Sequence, residues 1–213
     1  MVIEMLYTWN ELTPHFIHGV PQGVIHIGAH MAEELTVYND NGINRIIWIE
    51  ANPDLIPPLC NKLYGKSGSS VFSFAAHEMD GLTIEFNISN NGESSSIYKF
   101  GTHASEYPYI HFVKTVQVNT QRVDTLMEKS GYDRLLFDFV NLDIQGAELL
   151  ALRGMSDQLK HVKYVYTEIN ERPLYEGCAL MPEVDSYLSS LGFSRVDTRI
   201  TQHGWGDCLY IKS

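Results

Sequence analysis

Short apolar runs alternate with amphipathic stretches along the whole chain. Gly23–Gly28 (GVIHIG) and Arg45–Glu50 (RIIWIE) are β-branched, uninterrupted and brief, as strands buried on both faces should be. Ala32–Asn39, with Leu35 and Tyr38 on one face, and the segment opened by Asn52-Pro53 read as the helices that come after them. Val71–Ala76 reads as a third strand, and Leu82–Ile88 and Lys114–Asn119 alternate as half-exposed strands do. Val123–Lys129 predicts a short helix, Leu135–Asp143 a strongly apolar strand, and Gly146–Arg153 a helix stopped by Gly154. Val162–Glu168 is the next strand. Met181, Val184, Leu188 and Leu191 then keep helical spacing between Pro182 and Gly192. Phe193–Ile200 and Cys208–Lys212 close the chain as an antiparallel pair. No internal repeat occurs, and Gly65–Ser70 is the longest low-complexity linker.

This alternation predicts an α/β fold, a mainly parallel sheet with helices on both faces. Ligands of such sheets collect beyond the carboxyl ends of the strands. The site is therefore expected at Gly28–Glu34, Glu50–Asn52, Ala76–His77, Asp143–Glu148 and Glu168–Asn170. Residues 89–112 hold no sustained period but many Asn, Ser, Gly and aromatic residues, the pattern of an active-site loop.

A length of 213 residues predicts one domain, here 22–213, preceded by an N-terminal helical extension over 1–21. The formal net charge of −11 argues against a nucleic-acid backbone or an anionic membrane surface as partner. Residues 1–16 lack a basic segment leading into an apolar one, and no window is long and apolar enough to span a bilayer. Cys60, Cys178 and Cys208 form no CxxC pair, so reduced thiols in a cytoplasmic protein are expected.

Gly28 and the small Ala29 let the backbone approach a ligand, and Glu50, at the end of the next strand, is placed to receive the two hydroxyls of a ribose. The third glycine of GxGxxG is missing. Glu33 and Glu34 stand where a pyrophosphate would need donors, which favours a cationic sulfonium, S-adenosylmethionine, over a dinucleotide.

The segments VIHIGAH (24–30), WIEANP (48–53), NGESSSI (91–97) and NLDIQGAELLALRGM (141–155), with YTEIN (166–170) and HGWGDCLYI (203–211), together resemble the FkbM family of methyltransferases. The resemblance implies a Rossmann-like class I methyltransferase fold with a seven-stranded, mostly parallel sheet and an antiparallel last strand. It also implies methyl transfer from S-adenosylmethionine to oxygen, commonly on a sugar or glycan. His26 stands where the family usually has Asp, His30 where it has Asn, Ala32 in place of a frequent Gly, and Gln145 in place of a frequent Glu.

Carried over by position, Gly28, Ala29, His30 and Glu33 would lie against the methionine part of the cofactor and Glu50 against its ribose. Ala51, Asn52, Ala76 and His77 would border the adenine, with Ser95 and Ser96 on the closing loop and Asp143 beneath the methyl group. A sugar hydroxyl must lose its proton near transfer, to a base or to a metal-activated site. Asp143, Glu168 and Asn170 end two strands that would be neighbours, and three oxygen ligands suit Mg²⁺. His203 is the alternative base. A non-sugar metabolite as acceptor, or a non-catalytic cofactor-binding module of a larger glycan-assembly protein, are the other readings open at this point.

Overall fold

The computed structural model describes residues 5–66 and 68–213. Its strands are β1 (Val24–Ile27), β2 (Ile46–Glu50), β3 (Ser69–Ser73), β4 (Ala75–Ala76), β5 (Thr83–Ser89), β6 (Phe112–Gln121), β7 (Phe139–Leu142), β8 (Tyr164–Asn170), β9 (Phe193–Ile200) and β10 (Trp205–Lys212). Seven form one sheet in the order β3-β2-β1-β7-β8-β10-β9. The pairs β3–β2, β2–β1, β1–β7 and β7–β8 are parallel, whereas β10 runs antiparallel to both β8 and β9. The expected α/β fold with an antiparallel last strand is the one found. A small second sheet, β4-β6-β5, stands beside it.

The helices are α1 (Trp9–Leu12), α2 (Leu35–Asp40), α3 (Ile56–Leu63), α4 (His103–Glu106), α5 (Val123–Ser130), α6 (Glu148–Arg153) and α7 (Met181–Ser190). Alternate strand residues face opposite layers, giving two cores. Ile25, Ile27, Ile47, Val140 and Val165 pack under α5, α6 and α7 through Leu126, Leu149, Leu152, Val184 and Leu188. Val24, Ile46, Trp48, Phe139 and Tyr164 pack under α1, α2 and α3 through Trp9, Leu12, Leu35, Tyr38 and Leu59. No helix among the described residues is long and apolar enough to cross a membrane.

Several boundaries differ from the sequence expectation, each for a local reason. The helix expected from Ala32 begins at Leu35, because His30 (φ 41°) and Ala32 (φ 53°) are left-handed and cannot continue a right-handed turn. The helix expected from Asn52-Pro53 begins at Ile56. The Asn52 side chain closes a turn on the Asp54 amide (3.1 Å), and a proline in the first helical turn then loses no intrahelical donor. The strand expected over Leu135–Asp143 is shortened by a 3₁₀ turn at Arg134–Leu136, capped by the Asp133 side chain. Val71–Ala76 is two strands rather than one: after Ser73 the chain leaves β2, and Ala75–Ala76 pair with Thr120–Gln121 of β6.

Residues 1–4 of the expected helical extension, and Ser67 of the expected linker, lie outside the described residues. The remainder of the extension holds one α-helical turn, α1, and a 3₁₀ turn at Thr13–His15. Trp9, Leu12 and Phe16 from this segment are buried in the second core.

Candidate active site

The strand ends converge as the alternation predicts. Gly28 has φ 89°, and a Cβ there would lie 1.8 Å from the Asp143 carbonyl oxygen, so only glycine lets β1 and β7 close this tightly. The Gly28 and Ala29 amides donate to the Ile49 carbonyl (2.9 and 3.0 Å), tying the turn to β2. The buried Glu50 carboxylate then accepts the His30 amide on Oε2 (2.8 Å) and the Asn52 amide on Oε1 (2.7 Å). Burial pushes its carboxyl up, against the pull of those amides.

One cavity runs across these ends. Glu50, Glu168 and Asp207 from the strands, Asp143 just after β7, Glu33 and Glu34 from the β1–α2 turn, and Glu93 from the 89–96 loop all contribute to its wall, which among the described residues holds no lysine or arginine. His26 also lines it. That imidazole lies against Trp48 (ring centroids 4.9 Å apart), with Nδ1 3.1 Å from the Tyr38 hydroxyl, and burial lowers its pKa to about 4, so it is neutral. Asp207 accepts the Leu6 amide (2.7 Å) and the Tyr166 hydroxyl, and burial raises its carboxyl to about 7. Met5 lines the cavity beside Asp207, to which the Leu6 amide ties the chain.

Gln145 is the hub of the floor. Its Nε2 donates to Asp143 Oδ1 (2.6 Å) and Glu168 Oε2 (2.7 Å), and its Oε1 accepts from the Tyr175 hydroxyl (2.5 Å). The backbone is left-handed here (φ 56°), and the Ser96 hydroxyl holds the Gln145 carbonyl at 2.7 Å. This is also why α6 starts at Glu148 rather than at Gly146. Burial, then the nearby Asp143 charge, drives the Glu168 carboxyl well above the usual range. Glu148, whose Oε1 accepts the Ile144 and Gly146 amides (3.0 and 3.1 Å), is raised by burial to about 7.

A second cavity, about 350 Å³, adjoins the first at Gln145 and Glu168. Tyr107, Tyr109, Trp205, His103 and Leu174 form its apolar wall, and Asn90, Asn91 and Ser94 its polar one. The Trp205 indole N–H donates to the Tyr107 hydroxyl at 2.9 Å, fixing two of the rings. Glu93, Gln145 and Glu168 line both cavities.

Of the residues expected at the site, Gly28, His30, Glu33, Glu50, Ala51, Ala76, Ser95, Asp143 and Glu168 line the first cavity. Ala29, Asn52, His77 and Ser96 do not. Ala29 and Asn52 stand behind the wall as hydrogen-bond donors, Ser96 braces Gln145, and His77 Nδ1 accepts the Met79 amide at 3.0 Å. His203 lines neither cavity: its Nδ1 is engaged by Glu106 at 2.7 Å. Asn170, expected with Asp143 and Glu168 as a Mg²⁺ ligand, also lines neither. Its buried amide has no hydrogen-bond partner among the described residues.

The carboxyl group that gathers with Asp143 and Glu168 is Glu148, their oxygens lying within 4.8 Å of one another. The Gln145 amide stands between two of them, donating to both Asp143 and Glu168. That arrangement fits an internal donor better than a hard divalent ion, which needs charged or carbonyl oxygens turned toward it. Sequence reasoning gave no role to Glu93 or Asp207, and it placed Glu148 only within the expected Asp143–Glu148 segment.

Residues 26–195 match the methyltransferase FkbM domain. The chain is 32% identical over 114 residues to the 2-O-methyltransferase NoeI of Sinorhizobium fredii, an alignment covering 50% of this chain and 46% of that protein. It thus spans about half the length of the curated relative it matches. Among solved structures, a putative tRNA methyltransferase from Streptococcus pneumoniae aligns with a TM-score of 0.53 at 11% identity, covering 98% of this chain and 71% of that one. A SAM-dependent methyltransferase from Aquifex aeolicus aligns at 0.51 and 10% identity, covering 96% and 89%. These two likenesses show the Rossmann-like fold of that class.

Proposed function

The chain belongs to the FkbM family of methyltransferases, and from that premise we propose that it transfers a methyl group from S-adenosylmethionine to a hydroxyl of a sugar or glycan. The observation that carries this reading is the pair of cavities meeting at one three-residue wall, the first acidic and the second aromatic. A wall of carboxylates without a lysine or arginine suits a ligand bearing sulfonium and ammonium charges and disfavours a pyrophosphate. Glu50, pinned by two backbone amides, keeps lone pairs free for a ribose diol. Ala51 and Ala76 leave room for a flat base. Asp143, steadied by the Gln145 amide, presents its carboxylate to the cavity for an ammonium group.

The donor supplies an activated methyl group. The protein's part is to align an acceptor oxygen behind it and to exclude water. Tyr107, Tyr109 and Trp205 offer flat faces for a sugar ring, and Asn90 and Asn91 offer amides for its hydroxyls. The 2-O-methyltransferase relative supports oxygen as the methylated atom. Our reading assigns Mg²⁺ no role, because the Gln145 amide bridges the carboxylates expected to hold it.

Calorimetric titration with S-adenosylmethionine and S-adenosylhomocysteine tests the cofactor. Methyl transfer to methyl glycosides of hexoses and 6-deoxyhexoses, with and without chelator, tests the acceptor. The expected result is binding of both nucleosides and chelator-insensitive transfer to at least one glycoside. Absence of binding would overturn the whole reading. Binding with transfer only to non-sugar hydroxyls would overturn the sugar assignment.

A further inference from the structure

We infer that Glu93 is the group that takes the proton from the acceptor hydroxyl. The inference rests on the two-cavity reading above. A base for this step must touch the acceptor oxygen while that oxygen faces the methyl donor, so it belongs to the wall the cavities share: Glu93, Gln145 or Glu168. An amide such as Gln145 cannot take a proton. Glu168 accepts the Gln145 amide on Oε2 at 2.7 Å and gathers with Asp143 and Glu148, their oxygens within 4.8 Å of one another, so it belongs to the floor network rather than to the acceptor. Glu93 is half-buried, its charge acts on His30, and its side chain makes no hydrogen bond among the described residues.

The loop carrying Glu93 is fixed rather than slack. Asn91 Oδ1 accepts the Ser89 hydroxyl (2.6 Å) and the Ser94 amide (3.2 Å), and the Ser95 hydroxyl donates to the Gly92 carbonyl (2.6 Å). Ser96 anchors the loop's far end to Gln145. The loop's serines and asparagine therefore bond to the loop and to the floor, holding Glu93 in the wall that the two cavities share. A base held in place before the acceptor arrives needs little reorganisation at transfer. In the balanced step, the hydroxyl oxygen forms the new O–C bond as the C–S bond breaks with its electron pair left on sulfur. The hydroxyl proton passes to the Glu93 carboxylate and from there to solvent.

His103 is the rival. It lines the acceptor cavity, its buried Nδ1 has no partner among the described residues, and it stacks on Phe100 at 4.2 Å, but it does not reach the first cavity.

The test uses the full chain and whichever methyl glycoside the wild type methylates. Glu93→Gln should lower kcat by about 10²–10⁴-fold, with the glycoside KM and S-adenosylhomocysteine affinity changed by less than about threefold. Formate should restore part of the turnover of Glu93→Ala, which a purely structural role would not allow. Unchanged kcat in Glu93→Gln would overturn the assignment, as would a loss that formate leaves untouched and that tracks weakened cofactor binding. A large loss in His103→Gln beside an active Glu93→Gln would also overturn it, moving the base to His103. A wild type that binds no S-adenosylhomocysteine would overturn the underlying reading instead, a result distinguishable before any variant is made.

Discussion

Gln145→Glu probes the floor of the site with almost no change in side-chain shape. The substitution removes the two N–H donors that reach Asp143 and Glu168 at 2.6 and 2.7 Å and presents oxygen to both. A hydrogen bond to a carboxylate contributes roughly 1.5–3 kcal/mol, and one to a protonated carboxyl, the form Glu168 favours, roughly 0.5–1.5 kcal/mol. The gross loss is therefore about 2–4.5 kcal/mol, part of which is recovered if the new carboxyl protonates and donates one bond back. A net loss of about 1–3 kcal/mol should remain. At roughly 2–4 °C per kcal/mol for a protein of this size, Tm should fall by about 2–12 °C. Scanning calorimetry with millimolar Mg²⁺ or with chelator makes the test sharper. Wild-type Tm should be the same in both. Glu148, Asp143 and Glu168 already gather their oxygens within 4.8 Å, so a fourth carboxyl group should create a divalent-ion site, and the variant should regain stability in Mg²⁺. Magnesium that stabilises the wild type, together with a variant of undiminished Tm, would refute the amide-bridge account.

Gly28→Ala should destabilise the fold by several kcal/mol (~3 or more), since it combines a left-handed backbone with a Cβ overlapping the Asp143 carbonyl. Circular-dichroism melts check this. Stability should also depend on pH through Glu148 and Asp207, both raised by burial to about 7. The native state favours their protonated forms, so their stabilisation is full below the ordinary carboxyl range and is lost as pH rises through about 7. The urea midpoint should fall between about pH 4.5 and pH 7, and less steeply in Asp207→Asn. Tyr109, 67% exposed where it lines the second cavity, supports little of the fold. Tyr109→Ala should raise the glycoside KM roughly three- to tenfold and leave S-adenosylhomocysteine affinity unchanged, as steady-state kinetics and calorimetry would show.

The layer order and two of the carboxylates were legible because a buried strand announces its end where apolar residues stop: Gly28, Glu50 and Asp143 each sit at such a break, whereas Glu168 lies inside β8, which runs on to Asn170. Asp207 was equally readable and was missed. It shares the period-two face of Leu209 and Ile211, but Trp205-Gly206 imitate a turn, so the pattern places the start of the strand at Cys208. Helix starts failed where non-glycine residues turn left-handed, at His30, Ala32 and Gln145. Nothing in composition marks those positions, since the surrounding contacts impose the conformation. Gln145 as a bridge could not be read at all: its partners Glu168 and Tyr175 lie 23 and 30 residues away in sequence. Likewise, the 91–97 motif was visible, but which of its side chains faces both cavities depends on how Ser96 docks onto the β7–α6 turn.

Strand β10 slots between β8 and β9 from the last stretch of the described chain. Until Trp205–Lys212 is made, β8 presents an unpaired edge and β9 has no neighbour to join, because its pairing is with β10. A nascent chain on the ribosome therefore carries an open, apolar β8 edge through roughly forty residues of synthesis, a window for aggregation and for chaperone capture. The same insertion delivers Asp207 beside Glu168, and Asp207 in turn clasps Leu6, 201 residues away. Closing the sheet and closing the first cavity are thus one late event.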